Sequence, residues 1–70
     1  MIKVSKMIED KPVKVGNFKS YVAFADWLDE KPNENIGTYY IIPSNCVGIA
    51  SMDKIEYDGV MCYAERRGNI

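Results

Sequence analysis

Apolar and polar residues alternate near the start of the chain, and this pattern predicts strands. Residues 1–15 place apolar side chains at alternate positions in two runs: Ile2, Val4 and Ile8, then Val13 and Val15. Two such runs separated by Glu9, Asp10, Lys11 and Pro12 predict a β-hairpin. Lys6 interrupts the apolar face of the first strand. Because inward or edge lysines protect strands from edge-to-edge pairing, we place this hairpin near a sheet edge.

The hydrophobic period then changes from two to that of a helix. Ser20 is placed to act as the N-cap of a helix over residues 21–30, and Pro32 follows its end. An apolar stripe at i, i+3, i+4 and i+7 predicts the face that lies on the sheet: Tyr21, Phe24, Ala25 and Leu28. Trp27 lies beside this stripe, so we expect it to pack into the core with one edge of the indole accessible.

Residues 35–52 form an 18-residue stretch without a charged side chain, which locates the core. β-Branched and aromatic residues bracketed by glycine and proline are typical of buried strands. The stretch breaks at Pro43, which predicts strands over residues 38–42 and 46–51 joined as a hairpin. Asp58 and Gly59 then predict a two-residue type I′ turn, because such turns need positive φ at both central positions. That turn joins residues 55–57 to 60–64 and sets Tyr57 opposite Val60.

The elements follow the order β-β-α-β-β-β, which predicts an α+β fold: an antiparallel sheet of about four to five strands with one helix packed on one face. A ten-residue helix is roughly 15 Å long and cannot cover such a sheet. We expect four side chains on the uncovered face: Tyr39, Ile41, Met61 and Tyr63. A symmetric dimer formed through these faces or through a sheet edge would cover them. A curled sheet that covers itself is the alternative.

Composition limits the classes of function. The 70 residues predict one domain over residues 1–70, and the 47% hydrophobic content is enough for a folded core. The chain has no histidine, which removes histidine bases, Ser-His and Cys-His pairs and the usual zinc catalytic sites. Its five glycines do not cluster into a phosphate-binding loop. We therefore predict no enzymatic activity, no catalytic residue, no metal and no cofactor.

The N-terminal segment and the uncharged stretch predict the cellular compartment of the protein, and the compartment in turn predicts the redox state of the cysteines. Charged residues come too early for the apolar region of a secretory signal, and residues 35–52 fall short of the roughly 20 apolar residues of a membrane span. These features predict a cytoplasmic protein that does not associate with membranes. Cys46 and Cys62 are accordingly expected to be reduced thiols packed in strands.

Charge is segregated along the chain although the formal net charge is −1. Residues 1–20 carry five lysines and two carboxylates, whereas residues 21–36 carry four carboxylates and one lysine. Opposed charged surfaces can steer a charged partner or promote self-association. The lysines of the first hairpin leave direct nucleic-acid binding open as an alternative, against which the net negative charge argues.

The candidate partner-binding surface lies at the end of the predicted helix. It comprises a group of carboxylates beside one aromatic residue: Asp26, Asp29, Glu30, Glu34 and Trp27. Negative charge near a helix C-terminus is unfavourable by about 0.3 to 1 kcal/mol per residue at low salt. A local conflict of this kind can mark a functional surface, and carboxylates beside an aromatic ring would fit a basic protein.

Residues 18–43 contain the segment FKSYVAFADWLDE followed by GTYYIIP, in which a capped amphipathic helix leads through Gly-Thr-Tyr into a strand. This arrangement is similar to a pattern of short phage-encoded accessory proteins. The resemblance implies a small non-enzymatic protein of host takeover or anti-defence, which inhibits a host protein by binding it in the host cytoplasm. It carries over no site residue. The leading hypothesis is a homodimeric inhibitor that occludes a host surface, with acidic mimicry of nucleic acid as one mechanism. An oligomeric nucleotide sponge is a further alternative.

Overall fold

The computed structural model describes residues 1–43, 46 and 52–68. They form one helix and five strands, in the order β1 (Ile2–Ile8), β2 (Lys11–Phe18), α1 (Tyr21–Glu30), β3 (Gly37–Ile42), β4 (Lys54–Asp58) and β5 (Met61–Arg66). The predicted α+β class and element order are confirmed. Among the described residues, no helix has the length and apolar character needed to cross a membrane.

The five strands form one antiparallel sheet in the order β2-β1-β3-β5-β4. The β1–β2 hairpin therefore lies at one side of the sheet, with β2 as an edge strand, as predicted. Strand β3 is central and pairs with β1 and β5. The predicted strand over residues 46–51 lies, apart from Cys46, outside the described residues.

Helix α1 begins and ends where the sequence predicts. The Ser20 hydroxyl oxygen accepts a hydrogen bond from the Ala23 backbone N–H at 3.2 Å, which satisfies one of the free donors of the first turn. The helix packs its apolar stripe onto one sheet face, which we call the helix-side face. The buried core combines both elements: Ile2, Val4, Phe24, Ala25, Leu28, Tyr39, Ile41, Cys62 and Ala64.

Four residues were predicted on the sheet face that the helix leaves uncovered, and two of them, Tyr39 and Ile41, lie on the helix-side face instead. Tyr39 and Ile41 are fully buried beneath the helix. Because Tyr40 pairs with Tyr63, and side chains alternate along a strand, Met61 and Tyr63 share the face of Tyr40 and oppose that of Tyr39. The prediction was wrong for Tyr39 and Ile41, since the register between β3 and β5 depends on pairing rather than on either strand alone.

The turn between β4 and β5 lies one residue later than predicted. Asp58 pairs with Met61, so Gly59 and Val60 are the central residues, and Tyr57 lies opposite Cys62 rather than Val60. Gly59 has φ 60°, and glycine at the first central position is typical of a type II′ turn. The register shifts by two residues. An even shift leaves every side chain on its predicted face.

Cys46 and Cys62 form a disulfide, with their Cα atoms 6.4 Å apart. This corrects the expectation of two reduced thiols. Cys62 is the second residue of β5 and is fully buried, and Cys46 packs against the same core. The bridge links the segment after β3 to strand β5, a contact that depends on the chain path between them and not on local sequence.

Candidate interaction surfaces

We call the carboxylates Asp26, Asp29, Glu30 and Glu34 the acidic helix surface. Asp26 and Glu30 lie one turn apart on the outer side of α1, and both are exposed. Val22 precedes Asp26 by one turn and is 68% exposed. The outer side of the helix therefore presents an apolar residue followed by two carboxylates, and its last turn contains no basic residue.

Two members of this surface have basic partners. Asp29 lies 3.4 Å from the Arg66 guanidinium of β5, and Glu34 lies 3.7 Å from the Lys31 ammonium. Arg66 thus places positive charge at the C-terminal end of the helix, where the macrodipole favours it. The conflict seen in the sequence is compensated across the tertiary structure, so the free negative charge is concentrated at Asp26 and Glu30.

Trp27 is half-buried and packs against other aromatic rings. Its ring centroid lies 5.7 Å from that of Phe18, 6.0 Å from that of Phe24 and 6.2 Å from that of Tyr39. Such clustered rings bury large apolar areas and stabilise the helix against the sheet. The prediction that Trp27 packs into the core is confirmed, and its contribution to the acidic helix surface is restricted to the remaining exposed part.

Asn35 caps the C-terminal end of the helix with its side chain, a role that the sequence pattern did not predict. Its side-chain amide donates to the backbone carbonyls of Trp27 and Leu28, at 3.1 and 3.4 Å. Its own backbone carbonyl accepts a hydrogen bond from the Tyr39 hydroxyl at 2.8 Å. The helix end that carries the acidic surface is thereby fixed to the central strand. An asparagine shortly after a helix was the available signal, but its partners are determined by the loop path.

Replacing Tyr39 by phenylalanine should lower stability by about 1 kcal/mol at neutral pH, because the hydrogen bond to Asn35 is lost. Burial raises the pKa of the Tyr39 hydroxyl. The stability that the protonated Tyr39 hydroxyl contributes is therefore complete at pH values below the pKa of tyrosine in the unfolded chain, which is near 10. It decreases as the pH rises toward and through the higher pKa of Tyr39 in the folded chain. Urea unfolding across alkaline pH should show a shallower loss of stability for Tyr39→Phe than for the parent chain.

The matched control for this prediction is Tyr57→Phe, because Tyr57 is 67% exposed. This substitution removes an exposed hydroxyl and should leave the stability at neutral pH close to that of the parent chain. Identical slopes for Tyr39→Phe and the parent chain would contradict the assigned role of Tyr39.

The second candidate surface is the sheet face opposite the helix, which we call the open sheet face. In the described part of the chain no helix lies on it. Tyr40 and Tyr63 form an edge-to-face pair at its centre, with ring centroids 4.4 Å apart. Three apolar residues surround them: Met7, Ile42 and Met61. Partial desolvation, followed by the nearby Asp58 carboxylate, raises the pKa of the Tyr63 hydroxyl.

The lysines of the β1–β2 hairpin do not form one surface. Lys3 and Lys14 line a shallow depression on the open sheet face. Lys6 lies on the helix-side face, where its ammonium is 5.7 Å from the Tyr39 ring centroid. Because strand alternation sends these side chains in opposite directions, the hairpin does not present the clustered basic footprint that counterion release rewards.

Among the described residues, no group of three or more potential ligand side chains could hold a metal ion. The chain contains no histidine, so no imidazole base lies beside the carboxylates of the acidic helix surface. The acidic helix surface thus presents carboxylates beside the exposed Val22, and the open sheet face presents aromatic and apolar side chains. Comparisons of the chain with protein-family models, curated proteins and solved structures found no match.

Proposed function

We propose that this protein is a non-catalytic interaction module that binds a basic surface of another protein through the acidic helix surface. The observation that carries the proposal is the outer side of α1, where Asp26 and Glu30 are exposed one turn apart. Among the described residues, neither forms an ion pair with a lysine or arginine. A partner that supplies lysine or arginine there would gain attraction that the protein itself does not satisfy.

The rigidity of this surface supports its use in recognition. The Asn35 bonds to the helix end and the Asp29–Arg66 pair hold α1 against the sheet. The exposed Val22 side chain adds a small apolar contact next to the carboxylates. Carboxylates held at fixed spacing on a rigid helix can stand in for backbone phosphates, which is the form that acidic mimicry of nucleic acid would take here.

The resemblance of residues 18–43 to phage accessory proteins extends the proposal to its biology. In that setting the partner is a host protein, the place is the host cytoplasm, and binding occludes the surface that the host protein uses. A nucleic-acid-binding host protein fits best, because its functional surface is already basic. Electrostatic attraction of this kind acts mainly on association rate and specificity.

The test is capture with the double variant Asp26→Asn/Glu30→Gln. Tagged parent protein should retain a basic protein from nuclease-treated bacterial lysate, and titration of that purified protein should give an affinity that falls as salt screens the charges. The double variant should bind roughly tenfold or more weakly, which corresponds to about 1.4 kcal/mol or more. Glu9→Gln/Asp10→Asn is the matched control, because it removes the same charge from a distant turn.

Unchanged affinity in the Asp26/Glu30 variant, or binding that is insensitive to salt, would rule out this surface. If no protein is retained, the other two functions are tested directly. Stabilisation by cyclic nucleotides in a thermal-shift assay would indicate a ligand sponge. Retarded DNA or RNA at physiological salt would indicate a nucleic-acid binder.

A further inference from the structure

The charges of the open sheet face are arranged with opposite signs on its two sides. One register row crosses all five strands in the order Lys14, Ser5, Tyr40, Tyr63 and Glu56. A cation therefore occupies one end of the row and an anion the other, with the tyrosine pair between them. Both end residues are exposed.

The flanking positions extend this polarity. The open-face positions of β1 and β2 carry two lysines and no carboxylate: Lys3, Ser5, Met7, Pro12, Lys14 and Asn17. Those of β4 and β5 carry three carboxylates and one lysine, and that lysine, Lys54, lies 2.7 Å from Glu56. The open sheet face as a whole has no net charge, so it is poorly suited to a polyanion. It is well suited to a surface that places negative charge opposite its basic side and positive charge opposite its acidic side.

The geometry points to a second copy of this chain as the occupant of the open sheet face, related by a two-fold axis that runs along β3 between the stacked sheets. This rotation places β2 of one copy over β4 of the other. Lys14 then faces Glu56 of the second copy, the same contact occurs twice, and Tyr40 lies at the axis. Isologous contacts of this kind are typical of soluble homodimers.

The alternative two-fold axis, perpendicular to the strands, is disfavoured by the same charges. It would place β2 over β2 and β4 over β4, which sets lysine against lysine and carboxylate against carboxylate. Like charges in contact oppose association. The segregation of charge across the strands therefore selects the orientation of the two sheets as well as the partner.

The available area fits a weak dimer. Five strands spaced by about 4.8 Å and about six residues long give a face of roughly 24 by 20 Å, which buries about 1,000 Å² over both copies. This is near the lower limit for a specific interface. We expect a dissociation constant on the order of micromolar, since small interfaces of this size occur in reversible complexes.

The decisive experiment is sedimentation velocity over a concentration series with two single charge reversals, Lys14→Glu and Glu56→Lys. Each variant alone should raise the dimer dissociation constant by about tenfold or more, because two attractive contacts become repulsive. An equimolar mixture of the two variants should dimerise about as well as the parent chain, because both contacts are again between opposite charges in the mixed dimer.

Matched controls separate this effect from net charge and from folding. Lys19→Glu and Glu9→Lys make the same charge changes away from the open sheet face, and both should leave the dissociation constant unchanged. Circular dichroism of each variant checks that it remains folded. A parent chain that is monomeric throughout the series would overturn the proposal. So would folded single variants that dimerise normally, or a mixture that stays monomeric.

Discussion

After reduction of the Cys46–Cys62 disulfide, Phe24→Ala is expected to leave the domain largely unfolded at room temperature. Phe24 is fully buried, and its ring contacts Phe18 and Tyr39 at centroid distances of 5.3 Å in each case. Truncation of a buried phenylalanine costs about 3 to 5 kcal/mol, because apolar burial is lost and a cavity remains. A single core of this size contributes only about 3 to 5 kcal/mol of net stability. The variant should therefore lose its cooperative urea transition and most of its near-ultraviolet circular dichroism.

Val22→Ala is the matched control for Phe24→Ala. It removes apolar atoms from the same helix, but Val22 is 68% exposed and lies on the outer side. Its effect should stay within about 0.5 kcal/mol. If Phe24→Ala unfolds with a midpoint close to that of the parent chain, the position of α1 on the sheet is wrong, and the acidic helix surface is placed wrongly with it.

Reduction of the Cys46–Cys62 disulfide is expected to have the second-largest effect. The two cysteines are 16 residues apart, and a bridge that closes a loop of about this length stabilises by about 3 kcal/mol in the chain-entropy model. For a domain of this size, such a loss lowers Tm by roughly 12 to 24 °C. Thermal unfolding with and without a phosphine reductant measures the difference directly.

Cys46→Ser provides the control for the reductant. This variant should unfold near the temperature of the reduced parent chain, and added reductant should not lower its Tm further. Equal Tm values for oxidised and reduced parent protein would show that the bridge does not contribute to stability. Alkylation of the denatured parent protein without reductant, followed by mass spectrometry, reports the fraction of molecules that carry the bridge.

The disulfide also bears on where the protein is most stable. Cytosolic glutathione and thioredoxin keep thiols reduced, whereas oxidising compartments preserve bridges. In the cytoplasm that we propose, the protein would rely more strongly on its core and on the dimer interface. The proposed cytoplasmic location and the proposed dimer are therefore linked. Under reducing conditions the bridge is lost, and formation of the dimer would replace part of the stability that the bridge supplies under oxidising conditions.

The candidate surfaces differ in how far the sequence located them. Asp26 and Glu30 were accessible to sequence reasoning, because their spacing places them opposite the apolar stripe of the helix. The ion pair between Asp29 and Arg66 could not be predicted from the sequence, because these residues lie far apart in the chain and meet only where β5 passes the helix end. The charged row across the open sheet face was equally hidden, because five strands contribute one residue each.

Local sequence determined the elements of this protein. Ser20, the apolar stripe and Pro32 fix the helix over residues 21–30 through interactions within a few residues, and alternation fixes the strands in the same way. Tertiary structure decided how these elements combine. Pairing of β3 with both β1 and β5 put Tyr39 and Ile41 beneath the helix, and the chain path after β3 brought Cys46 to Cys62. Each of these outcomes depends on contacts between distant segments, and the burial of the core as a whole selects them.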